Sequence, residues 1–307
     1  MKYALLEIKL MSPALLHARN VKSYFLSTED FIPSQTLRGA VIDALIKEGY
    51  DVHKLEEIFV SPGYPSNSAP AHPFVFAMGR KSEEFKERKD SLVIEGDVED
   101  IINRKRREIE EIMRDKKVMR RNDTLKSKTG TVVSLEGTLE NSLFNYKEVK
   151  IPSIIQGHVA INKVTMNKES GMLYHYEYKM PTTFWALSSN TIPKEEIRIT
   201  LGRSKNRGFG EALLTRKGEL ELADAKNGWA YCLSPCYTDV ETGIGKVTNY
   251  TGWFTSDDLR GTKPFMKVAI QGSLLKVKGE LYPLKTAGLN FAFSLSSLGE
   301  LLSKVRL

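Results

Sequence analysis

Only two cysteines, Cys232 and Cys236, occur in 307 residues. A disulfide scaffold is excluded, and a reducing compartment, the cytoplasm, is expected. No second Cys/His pair lies near them at zinc spacing, so no metal site is expected, and no motif asks for a cofactor. No run approaches the roughly 18 apolar residues of a membrane span, so no membrane partner is expected. The opening stretch MKYALLEIKLMSPALL is interrupted by Glu7 and Lys9 and reads as a strand, not as the apolar segment of a signal peptide. The motifs GxxxxGK[ST], HExxH and GxSxG are missing, and no short-period repeat is visible. Glutamine is scarce, at Gln35, Gln156 and Gln271 alone, a composition that hints at a thermophilic source.

Positive charge is present in excess and is unevenly placed. The net charge is +7, yet residues 104–128 carry +6 and residues 198–217 carry +5, which leaves the rest of the chain at −4. Two basic blocks on a mildly acidic background suit a polyanion-binding surface.

Periodicity gives an α+β chain. Residues 2–10 alternate as a strand with Ala4, Leu6, Ile8 and Leu10 inward and Tyr3, Leu5, Glu7 and Lys9 on a wet face. Leu37, Val41, Ala44 and Leu45 follow at helical spacing, with Ser34 as the expected N-cap and Gly49 as the stop. Residues 61–73 hold four prolines and are expected to be a loop or linker. Residues 97–121 form a charged helical stretch. From residue 131 onward β-branched and aromatic runs predict strands, and a short helix is expected over 295–304. The polar, turn-like segment 218–228 divides the chain into a unit of residues 1–217 and a smaller β-rich unit of residues 218–307. The larger unit carries an insertion over about 61–130 and a β-hairpin over about 158–178.

Three segments carry candidate chemistry. In IPSQTLRGA a loop feeds a helix whose free N–H groups, with Ser34 and Arg38, would grip one phosphate. In LGRSKNRGFG three glycines and three cations fall within ten residues. Gly202, Gly208 and Gly210 permit a tight loop. Arg203, Ser204, Lys205, Asn206 and Arg207 would line a phosphate path, and Phe209 would stack on a base or pack inward. In HVAINKVTMNKESGMLYHYEY a long hairpin is expected, with Lys163, Thr165 and Lys168 toward its tip and an aromatic inner face of Tyr174, Tyr176 and Tyr178. His17, near Arg19 and Lys22, is a candidate general acid–base for RNA cleavage through the 2′-hydroxyl, although no partner pattern supports it. His72 reads as structural.

Taken together, IPSQTLRGA, LGRSKNRGFG and HVAINKVTMNKESGMLYHYE resemble, in order and spacing, the motifs of the RAMP superfamily of CRISPR effector proteins. The likeness covers most of residues 1–217. Later GW at 252–253 and QGSLLKVKG at 271–279 are most similar to the type III-D subunit that holds the tagged end of the guide RNA. Ser34 stands where the family has glycine, Asn162-Lys163 where it has Asp-Arg, and KTAGLNFAFS shows no clear second glycine-rich loop. The resemblance implies tandem ferredoxin-like (RRM-like) domains whose sheets present a face and a glycine-rich loop to single-stranded RNA. It implies a guide-RNA (crRNA) scaffold that meets target RNA through the guide, beside a large signalling or nuclease subunit and backbone subunits. Two other roles exist in the family. A backbone subunit cleaves target RNA with a first-loop aspartate, for which Asp30 is the candidate here, and a processing endoribonuclease would use His17.

Overall fold

The computed structural model describes residues 1–16, 19–21, 24–26, 29–78, 84–88, 100, 103–104, 107, 125–135, 138–140, 143–161, 166, 168–237, 240–251, 253–255, 260–262 and 265–305. Most of the stretch expected to be helical, 97–121, lies outside them, as do His17, Lys163 and Thr165.

Two sheets organise the chain. In the first, the order is Glu196–Thr200, Glu211–Glu221, Lys2–Leu10, Thr183–Ser188 and Tyr64–Pro65, with every pairing antiparallel. Without its outer strand at Glu196–Thr200 this is the fourth–first–third–second order of a ferredoxin-like unit. The strand Glu196–Thr200 stands where the second helix would be. In the second sheet the order is Ala292–Ser294, Lys226–Cys232, Leu274–Glu280 and Val240–Ile244, again antiparallel. That is the same order, with no α-helix between its strands among the described residues. The protein is therefore α+β, with two ferredoxin-like units in tandem and long insertions. The helix α1 (Ser34–Lys47) follows the first strand, and a helix at Leu298–Lys304 ends the described chain.

Alternation along Lys2–Leu10 sets the core. Leu6, Ile8 and Leu10 face Leu37, Val41 and Leu45 of α1, joined by Ile197, Ile199 and Leu214. The opposite face is not wet as expected. Tyr3 is 0% exposed and Leu5 7%, because that face, with Trp185, Leu187 and Leu220, is covered by Leu233, Leu274, Phe291, Phe293 and Leu298 of the second unit. On this face Lys9 is exposed and Glu7 partly so. Covering this face removes the open RRM-like surface that the resemblance led us to expect on the first sheet.

The proline-rich segment is also not a linker. Residues 61–65 and 68–71 are buried. The Tyr64 hydroxyl donates to the Leu233 carbonyl (2.6 Å) and the Tyr231 hydroxyl to the Pro70 carbonyl (2.6 Å), so the segment ties the two units together. Proline is tolerated because Tyr64–Pro65 is an edge strand that needs only one row of partners.

The two units share more than strand order. After the first strand of each comes a Ser-Pro turn, Ser12-Pro13 and Ser234-Pro235. The Gly210 N–H donates to the Pro13 carbonyl (2.9 Å), and the Asn290 N–H to the Pro235 carbonyl (3.0 Å). The Glu211 N–H donates to Ser12 Oγ (2.9 Å), and the Phe291 N–H to Ser234 Oγ (3.0 Å). Ala14 exchanges a pair of backbone bonds with Lys179, and Cys236 does so with Ala269. Lys179 and Ala269 each end a hairpin inserted before the third strand: Ser153–Ile161 with Lys168–Lys179, and Val247–Tyr250 with Met266–Ala269. The chain is an internal duplication whose halves differ in insertion length.

Candidate nucleic-acid interface

The glycine-rich loop joins the last two strands of the first unit. Ser204 takes a left-handed conformation (φ 62°), Lys205–Arg207 form one 3₁₀ turn, and Gly208 (φ 80°) and Gly210 (φ 81°) close it. Glycine is required at two positions by contact as well as by φ. A Cβ on Gly202 would overlap the Leu15 carbonyl, and one on Gly210 the Leu201 carbonyl. The backbone is therefore pinned, while the side chains of Arg203, Lys205, Asn206 and Arg207 are exposed.

The hairpin lies against this loop. Its register pairs Tyr174 with His158 and Tyr176 with Gln156, so Tyr174, Tyr176, Tyr178 and His158 share one face. The rings form a continuous row: His158 stacks on Tyr174 (5.3 Å), Tyr174 meets Tyr176 edge-on (5.3 Å), and Tyr176 meets Tyr178 (6.0 Å). Tyr178 then stacks on Phe209 (4.3 Å, 14°). Of the two roles open to Phe209, the structure shows inward packing. Phe25, from a strand beside the hairpin, joins at Tyr176 (4.9 Å).

Cations lie over this row. The Arg203 guanidinium sits 5.6 Å from the centre of the Phe25 ring, and Arg207 Nη1 donates to His158 Nδ1 at 3.4 Å. Arginine can only donate, so that nitrogen of His158 is the acceptor. Burial, then Arg207, then His175 hold the His158 imidazole below its ordinary range, in its neutral form. Lys205 is 4.0 Å from Asp43 of α1, with both side chains 43% exposed, a contact of little energetic weight. A fixed turn with exposed guanidinium groups beside an aromatic row offers phosphate contacts and ring faces together. At the hairpin, Lys168 occupies a strand position paired with Ile161.

Other expected residues are placed elsewhere. Ser34 is not the N-cap. Pro33 holds that position, and the buried Ser34 hydroxyl donates to the Val60 carbonyl. Arg38 donates through Nε to the Ile58 carbonyl (2.6 Å) and through Nη2 to the Glu56 carbonyl (2.9 Å), and burial lowers its pKa. Both residues hold the chain around α1 and are not brought to the glycine-rich loop. Asp30 Oδ1 accepts from Lys179 Nζ (2.7 Å) and from the Ile151 N–H (3.0 Å). It joins the first long loop to the base of the hairpin.

The second unit contains the counterpart turn that the sequence did not reveal. Lys285–Ala287 form a 3₁₀ turn closed by Gly288 (φ 79°), and Asn290 (φ 60°) takes the place of Gly210. This turn sits on the start of α1. Gln35 Nε2 donates to the Ala287 carbonyl (2.9 Å), as does the Tyr250 hydroxyl (3.0 Å), and Gly288 packs near Ser34. Its lysine points inward. Lys285 Nζ lies 3.4 Å from Asp224 and 4.9 Å from the centre of the Tyr3 ring, and burial lowers its pKa. A signal did exist in the sequence: Ser-Pro after each first strand and Lys-x-x-Gly before each last one.

No family model and no curated protein matches the chain. Among solved structures it is similar to a chain of the type III-B Cmr-beta complex bound to cognate target RNA and AMPPnP. There the identity is 13% and the TM-score 0.48, over 89% of this chain and 86% of that one. It is similar at lower scores to Cmr4 (14% identity, TM-score 0.29, 71% and 99% covered) and to Pyrococcus furiosus Cmr4 (Cas7) (13%, 0.27, 71% and 100%). The fold assignment rests on the strand order itself, not on these likenesses. Among the described residues no helix is long and apolar enough to cross a membrane.

Proposed function

We propose that this chain is an RNA-binding structural subunit of a type III CRISPR ribonucleoprotein, one that holds the guide RNA and supports assembly with other type III subunits in the cytoplasm. One observation carries the reading: Arg203, Lys205 and Arg207 project from a sterically fixed turn beside a row of five aromatic and imidazole rings in mutual contact. The sequence resemblance supplies the particular ribonucleoprotein and suggests the tagged end of the guide as the part held. Lys163, Thr165 and Lys168 would extend the contact toward the hairpin tip. Ser34 and Arg38 act as scaffold, since both already hold protein partners. Asp30 likewise serves the fold, so cutting of target RNA belongs to neighbouring subunits.

The test is guide retention. Arg203→Glu, Lys205→Glu and Arg207→Glu together should leave the melting profile unchanged and abolish co-purification of a discrete short RNA. Full-length guide recovered with the triple variant would overturn the reading.

A further inference from the structure

The internal duplication places a second exposed feature at the counterpart of the glycine-rich loop. Leu15, which bridges to Arg203 in the first unit, corresponds to Tyr237 in the second. Gly202, three residues before the first 3₁₀ turn, corresponds to Tyr282 before the other. Tyr237 and Tyr282 are 42% and 44% exposed, and their rings stack on each other at 5.9 Å and 27°.

Their placement is not loose. Asn290, fully buried, accepts from the Tyr237 N–H (2.7 Å) and donates to the carbonyls of Tyr237 (2.8 Å) and Tyr282 (3.0 Å). In the first unit the Leu201 carbonyl forbids any side chain at Gly210. In the second unit the same left-handed position admits asparagine, which tolerates that conformation, and its amide locks both tyrosine-bearing segments. Two large, partly exposed rings held side by side, on a backbone fixed by a buried amide, form a preorganised stacking surface.

Both turns also meet the same helix. Lys205 approaches Asp43 and Ala287 contacts Gln35, eight residues apart and so about 12 Å along α1. A few nucleotides span that distance.

We propose that Tyr237 and Tyr282 form a second RNA contact, where an unpaired base of the strand held by Arg203, Lys205 and Arg207 stacks. The first turn grips phosphate and its duplicate grips a base. Aromatic stacking accepts any base, so this contact adds affinity without sequence preference. The proposal rests on the RNA-binding reading above.

The test uses the full chain and short pyrimidine RNAs that carry a single 2-aminopurine at successive positions. At one position, fluorescence should be quenched on binding by the parent protein. Tyr237→Ala with Tyr282→Ala should remove that quenching and weaken binding roughly five- to hundredfold, the range of one base–aromatic stack. Tyr237→Phe with Tyr282→Phe should keep both. Melting should be unchanged in each variant, because Asn290 bonds to backbone atoms. If the RNA binds but no position depends on the tyrosines, or the phenylalanine pair behaves as the alanine pair, the second contact is refuted and the first stands. If the parent binds none of these RNAs, the RNA-binding reading fails, and the second contact with it.

Discussion

Asp30 offers a direct test of whether the first loop is structural or chemical. Its carboxylate faces Lys179, whose side chain is only 7% exposed. Asp30→Ala would leave that ammonium without its counter-ion and the Ile151 N–H without its acceptor. Breaking a buried pair on one side costs about 3–5 kcal/mol. Asp30 itself is 23% exposed, so water relieves part of the loss, and the lower end, about 3 kcal/mol, is expected. Removing both charges should recover most of it, because replacing a buried pair by apolar groups is often close to neutral. Asp30→Ala with Lys179→Met is therefore predicted to lie about 1 kcal/mol below the parent, the cost of the Ile151 N–H left without its acceptor. Denaturant unfolding of the parent, both single variants and the double variant closes the cycle. If Asp30→Ala unfolds with the parent, the ion pair contributes nothing and the structural assignment of Asp30 is wrong. The double variant also separates fold from function. If it folds normally and its assembled complex has lost one specific target cut, this subunit is itself a nuclease.

Two further outcomes follow from the site. Gly210→Ala places a Cβ on the Leu201 carbonyl at φ 81°, so it should destabilise by more than about 1 kcal/mol and weaken RNA binding although no cation is changed. Equal melting and equal affinity would show that the turn is not fixed as described. For His158, burial and Arg207 depress the folded-state pKa below the ordinary value of about 6.5. Its contribution to stability is then complete above that value and is lost as pH falls from there through the folded pKa. His158→Gln should flatten this part of the stability–pH curve, and a parent that gains stability on acidification relative to the variant would refute the sign.

Local periodicity made α1 and the strand Lys2–Leu10 legible, because each needs only its own apolar spacing. The glycine-rich loop was legible for the same reason, since its glycines and cations lie within ten residues. What the sequence hid was tertiary. Alternation shows that Tyr3 and Leu5 share a face, but not that Phe291 and Phe293, nearly 290 residues away, cover it. Pro62, Pro65 and Pro70 signal a break in structure, yet they lie in a buried edge that is bonded to the second unit through Tyr64 and Pro70. Ser34 has the right residue type for a cap, but Pro33 fills that place. The duplication escaped because unequal insertions separate short pieces such as Ser-Pro and Lys-x-x-Gly, and because Asn290 replaces a glycine that only steric contact makes obligatory in the first copy.

The central claim is that Arg203, Lys205 and Arg207 neutralise RNA phosphates. The direct measurement is the salt dependence of RNA binding by the parent and by Arg203→Ala, Lys205→Ala, Arg207→Ala combined. Each phosphate neutralised on a single strand contributes about −0.7 to the slope of log affinity against log salt. Three lost contacts should make the variant's slope shallower by about 2, with its circular dichroism unchanged. Parallel slopes for parent and variant would contradict the account, since the three cations would then touch no phosphate.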